Sequence, residues 1–147
     1  VKELKKKLNH FALHKRRILA AKNRNSAESM KEANDDFIVE GEFYLLKGKE
    51  VSFQFRSRDV IHSAYMPHFR AQMNTVPGLT TTFKFVPTMT TEEMRAETGD
   101  PTFEYLLFCN KICGASHYNM QMKIIVETEE EFNRWLDDQP TFKEFVK

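Results

Sequence analysis

A chain of 147 residues, 41% hydrophobic and 29% charged, holds one domain, or a domain with an appendage, and buries a modest core. Its longest unbroken apolar run, Tyr105 to Cys109, falls far short of the about 20 residues of a membrane-crossing helix and of the roughly 7–15 of a secretory signal. The formal charge of +1 hides an asymmetry: residues 1–31 carry ten Lys/Arg against two Asp/Glu, whereas residues 32–147 carry twelve against nineteen.

Residues 1–34 form a segment of their own. Leu4, Leu8, Phe11 and Ile18 recur on one side of a helix, with most of the Lys and Arg elsewhere, so the spacing predicts a basic helix or linker. The pattern suits a membrane-surface or nucleic-acid arm, but the apolar stripe is thin and lacks Trp, which favours a solvated helix packed on its own domain or on a partner. His10 and His14 share a helical face, yet two ligands without a third do not make a metal site. The chain opens on Val1 rather than Met, as expected of a processed or shortened form.

Residues 35–147 read as the main domain, and there the period changes to two. Phe37 to Leu46 is β-rich and Lys47-Gly48-Lys49 is a turn. Val51, Phe53 and Phe55 alternate with Ser52, Gln54 and Arg56 as in a half-buried strand, and Val60-Ile61 continues a strand-like stretch into His62. Pro77-Gly78 marks a turn before Phe83 and Phe85. Thr90-Thr91-Glu92-Glu93 is a capping box opening a short helix to Ala96. Phe103 to Phe108 and Met120 to Val126 read as buried strands. Thr128 to Glu131 is a second capping box, whose helix carries Phe132, Trp135 and Leu136 on one side. Many short strands with helical decoration predict a mainly β sandwich or barrel.

Chemistry concentrates between the last two strands. From Cys109 to Met120 the chain offers two thiols, the imidazole of His117 and a thioether, a soft to borderline set that favours copper over magnesium or calcium. A curled loop would bring Cys109, Cys113 and His117 into a small volume, with Met120 reaching an axial position. Three other readings stand beside this one. The same positions form one stripe of a helix, although Asn110, Gly114 and the flanking β-rich runs oppose it. The two cysteines could form a disulfide in an oxidising compartment. A zinc site would need a fourth donor, for which a thioether is poor. A second copper would need a second histidine. His62, at the end of its strand-like stretch, is the best candidate, and His68 a weaker one.

The order Asp59-Val60-Ile61-His62-Ser63, then Val76-Pro77-Gly78, then the Cys109 to Met120 loop resembles the CuA domain of cytochrome c oxidase subunit II over residues 37–138. The wording Ile112 to His117 and Tyr65 to Arg70 is most similar to subunit II of Bacteroidetes-type bacteria. The resemblance implies a cupredoxin-like Greek-key β-sandwich holding a dinuclear copper centre. Cys109 and Cys113 would bridge the coppers, His62 and His117 would each bind one, and Met120 and the backbone carbonyl of Lys111 would be the weak ligands. It further implies electron transfer from a c-type cytochrome to haem in subunit I, at the periplasmic face of the bacterial inner membrane. The chain alone would be the electron-transfer domain of that oxidoreductase. Nitrous oxide reductase shares the ligand spacing but needs a large His-rich domain, and five histidines cannot supply it. A copper chaperone would not need both cysteines and His62.

The sequence departs from the family at three places. Its only Trp is Trp135, in the C-terminal helix, so Tyr65 and Phe69 are the candidates for receiving the electron. Lys111 stands where the family often has Glu, and Asn74 where it often has Asp, which argues against the family's magnesium site. The family's two N-terminal membrane helices have no counterpart in residues 1–31.

Overall fold

The computed structural model describes Val39 and residues 41–139, so the basic helix expected over residues 1–34 and the His10/His14 pair lie outside the described residues. Seven strands and two helices follow in chain order: β1 (Glu42–Leu46), β2 (Val51–Phe55), β3 (His62–Met66), β4 (Ala71–Thr75), β5 (Thr81–Phe85), α1 (Thr91–Thr98), β6 (Tyr105–Cys109), β7 (Gln121–Glu127) and α2 (Glu129–Asp137). The larger sheet has the order β1-β7-β6-β3-β4, and β2 pairs with β5 in a second, two-stranded sheet. β1 runs parallel to β7, and every other pairing between these strands is antiparallel.

Alternation decides which faces meet. In β2 Phe53 and Phe55 turn inward while Ser52 and Gln54 face out, and in β1 Phe43 and Leu45 turn inward. The Phe43 ring meets Phe53 edge-on with centroids 6.1 Å apart, and Phe53 stacks on Phe85 at 5.7 Å. Met66, Leu107, Ile124 and Val126 complete the core at 0–2% exposure, each stabilising the fold by about 1.5–3 kcal/mol. One turn ties the two sheets together: Lys47 N donates to Glu127 O at 2.9 Å and Gly48 N to Pro87 O at 2.8 Å.

Three local expectations are refined. Val60 and Ile61 are not strand but an exposed bend, and β3 begins at His62. The Ser57 hydroxyl bonds Asp59 and the Val60 carbonyl, and Asp59 bonds forward to His62, so local side-chain bonds displace the ladder there. At α1 the capping box forms in both directions, Thr90 Oγ1 accepting from Glu93 N at 3.1 Å and Glu93 Oε2 from Thr90 N at 2.8 Å, and the helix runs on to Thr98 before Gly99 ends it at φ 68°. At α2 the helix forms without that reciprocal cap, because the Thr128 hydroxyl donates to the Glu131 carboxylate instead of accepting from the backbone. Trp135 and Leu136 of α2 pack on the core, and Trp135 stacks on Tyr44 at 4.6 Å. Among the described residues no helix is long and apolar enough to cross a membrane.

Candidate metal centre

The β6–β7 connection is held at its mouth by backbone bonds. Cys109 N donates to Met120 O at 3.0 Å, and Asn110 N donates across to Ser63 O of β3 at 3.2 Å. Gly114, at φ 136°, turns the chain through a conformation that side chains oppose, and a single 3₁₀ turn, His117–Asn119, leads into β7. The helical-stripe reading of residues 109–120 is therefore excluded, and the segment is the curled loop that ligand convergence requires.

Antiparallel pairing of β3 with β6 sets Ala64 opposite Cys109, which brings the start of β3 beside the loop. As a result His62 Nδ1 lies 3.9 Å from Cys109 Sγ, although 47 residues separate them. Cys109 Sγ is 3.7 Å from Cys113 Sγ and 3.3 Å from the Lys111 carbonyl oxygen. Cys113 Sγ is 3.5 Å from His117 Nδ1 and 3.2 Å from Met120 Sδ. The donor atoms of His62, Cys109 and Cys113 all lie within 4.8 Å of one another, a metal-sized cluster. All six sequence candidates thus meet, and both cysteines are free thiols. His68 does not join them. It sits in a 3₁₀ turn beyond the other end of β3, against Phe103 and Tyr105. Phe69 lies in the same turn, stacked on Tyr105, so it is remote from the cluster.

The environment prepares these groups for a cation. Burial pushes the Cys109 thiol up, but hydrogen bonds with the backbone at Ser63 and Lys111, and with His62 and Cys113, outweigh it and hold the thiol down at about 6. Burial and the neighbouring Cys109 sulfur push Cys113 up, because a second negative charge is costly beside the first. Burial of His62 favours its neutral form, but the bonds to Asp59 and Cys109 prevail and raise its pKa. Two neighbouring thiols that resist joint ionisation, one buried and one half-buried, are a donor set that a soft cation would satisfy, and the thioether and imidazoles suit copper.

Sequence reading gave Asp59 no role of its own, yet its Oδ1 lies 2.8 Å from His62 Nε2. This fixes the ring so that Nδ1 faces the sulfurs. The Asp59-x-x-His62 spacing carried that signal. Ile112 and Tyr118, which the sequence reading gave no role of their own, are 91% and 88% exposed on the loop itself.

No family model matches the chain. It is 42% identical over 109 residues to an alternative cytochrome c oxidase subunit 2 of Bradyrhizobium diazoefficiens, a match spanning 74% of this chain and 35% of that one. It is 35% identical over 102 residues to the cytochrome c oxidase subunit 2 of Thermostichus vulcanus, spanning 69% and 27%. The chain therefore spans 35% or less of the length of these two relatives. Among solved structures, the periplasmic domain of subunit II of cytochrome oxidase from Bradyrhizobium japonicum superposes with a TM-score of 0.55 at 24% identity, over 69% of this chain and 64% of that one. That likeness establishes the cupredoxin-like fold.

Proposed function

Because the chain belongs to the cytochrome c oxidase subunit II family, of which it carries the CuA-domain region, we propose that it holds a dinuclear copper centre and relays single electrons within a respiratory oxidase. The carrying observation is the convergence of His62, Cys109 and Cys113, with His117, Met120 and the Lys111 carbonyl around them. Cys109 and Cys113 would bridge two coppers, His62 and His117 would each ligate one, and Met120 and the Lys111 carbonyl would be the weak outer ligands. Copper so held supplies reversible one-electron transfer without bond chemistry.

The chain's own residues keep the site still. Strand pairing fixes His62, the bonds from Cys109 N and Asn110 N pin the loop ends, and Asp59 holds the imidazole in one orientation. Burial of Cys109, His62 and Met120 shields the Cys109 and Met120 sulfurs from water. Ligands that barely move with redox state make electron transfer fast.

A c-type cytochrome is the proposed donor, subunit I the acceptor and the periplasmic face the location. Exposed Ile112 and Tyr118 on the loop, with Val60 and Ile61 on the bend before His62, offer apolar docking surface beside the ligands. The acidic excess of residues 32–147 suits a basic donor. Tyr118, next to His117, is better placed to receive the electron than Phe69. Lys111 cannot serve as the carboxylate of a magnesium site.

The test is electron paramagnetic resonance of the copper-loaded protein, with native mass spectrometry. Two coppers per chain and the hyperfine pattern of one electron shared over both are expected. A single-copper spectrum, or a mass two hydrogens lighter without metal, would overturn the reading.

A further inference from the structure

The antiparallel register of β3 and β4 sets Met66 opposite Ala71, Ala64 opposite Met73 and His62 opposite Thr75. Residues directly opposite in such a pair present their side chains on one face of the sheet, as near neighbours. The first two pairs belong to the core or pack against it. The third pair lies at the end where the metal cluster forms, and it is polar. Thr75 is 3% exposed, and its Oγ1 is the one fully buried side-chain nitrogen or oxygen among the described residues that lacks a hydrogen-bond partner. A valine would fill the same volume without burying an unsatisfied hydroxyl.

The neighbouring ring does not satisfy it. His62 Nε2 is engaged by Asp59, and Nδ1 is turned to the Cys109 sulfur. Buried polar groups take partners, so an orphan beside a ligand marks a site where a partner arrives. Resting on the copper reading above, we propose that Thr75 is a positioning residue of the metal centre. Its hydroxyl takes up its hydrogen bond only when the centre is loaded, and thereby favours the loaded state. It touches no reacting atom and acts through the surroundings of His62.

Three proteins decide it: wild type, Thr75→Val, which keeps the shape and removes the hydroxyl, and Thr75→Ser, which keeps the hydroxyl. Denaturant unfolding of the metal-free forms is compared with copper affinity, read by chelator competition, and with the paramagnetic spectrum. Metal-free Thr75→Val is expected to unfold at higher denaturant than wild type, relieved of its buried hydroxyl. Its copper affinity is expected to fall by about three- to tenfold, with altered hyperfine splitting, while Thr75→Ser stays within about twofold of wild type. Equal copper affinity and spectra in wild type and Thr75→Val would overturn the proposal alone. So would a loss in Thr75→Ser as large as in Thr75→Val, since the methyl would then be what matters. Failure of the wild type itself to load copper would overturn the reading beneath it as well.

Discussion

Asp59 would act on the proposed centre through His62, without touching a metal. Its carboxylate holds His62 from behind, and Ser57 Oγ donates to the same oxygen at 3.0 Å. Those bonds with His62, the Val60 backbone and Ser57 keep the Asp59 carboxyl far below the usual range, so it remains an acceptor at any working pH. Removing such a partner typically lowers metal affinity by about 10–100-fold. Asp59→Ala is therefore expected to weaken copper binding by about tenfold in chelator competition, whereas Asp59→Asn, whose amide oxygen still accepts from Nε2–H, recovers most of it. Equal affinities in both variants would show that orientation of His62 does not depend on this bond. Met120 differs in kind. Its thioether lies 3.2 Å from Cys113 Sγ and is 9% exposed. Met120→Leu preserves the burial and removes the donor, so it should retain copper and shift the midpoint potential, read by redox titration, because weak axial donors tune more than they hold. The side chains that converge were all candidates in the sequence, since two thiols, an imidazole and a thioether at such spacing suit a soft cation. The buttress behind His62 was not, because no pattern of residue types says which way a ring nitrogen points.

At the scale of elements, periodicity located β1, β2, β5, β6, β7 and both helices to within a few residues, but it placed no strand at β4 and set the strand-like stretch before His62 rather than after it. It failed where local hydrogen bonds compete with the ladder, as at Val60 and Ile61, and the capping pattern failed at Thr128, whose hydroxyl donates to the Glu131 carboxylate. Sheet order was not legible, because the parallel pairing of β1 with β7 joins segments about 80 residues apart, and only the packed core decides it. The junction of β7 and α2 makes a pH prediction. Burial, with the Glu131 carboxylate next in weight, pushes the Glu127 carboxyl up to about 7, from the ordinary 4.5. A carboxyl raised on folding contributes stability that is present below pH 4.5 and is lost as pH rises through 7. Glu127→Gln removes that dependence. Its denaturation midpoint should match or exceed wild type at pH 8 and show a smaller decline between pH 5 and pH 8. A steeper decline in the variant would contradict the assignment. The cap of α1 gives a second measure at this scale: Thr90→Ala removes an observed bond to Glu93 N and should cost about 1 kcal/mol by chemical denaturation.

Across the whole molecule, the proposed centre would be a stitch as well as a redox site. Its proposed ligands come from β3 and from the β6–β7 loop, so bound metal joins the start of β3 to a segment more than forty residues later. A ligand that binds only the folded state stabilises it by about 4 kcal/mol when present at 1,000 times its dissociation constant. For a domain of this size that is a rise in melting temperature on the order of 15–20 °C. Calorimetry of the copper-loaded chain, before and after a copper chelator, should show a rise of this kind. Cys113→Ser should abolish most of it while leaving the metal-free melting temperature nearly unchanged, since Cys113 is only half-buried on the loop. The rise should also depend on pH. Metal binding displaces thiol protons, and Cys109, held down to about 6, begins to retain its proton below that value. Affinity then falls by about tenfold per pH unit for each proton displaced, so the difference between loaded and metal-free melting temperatures should shrink steadily from pH 6 to pH 4. A difference that stays constant over that range would mean that the thiols are not what holds the metal.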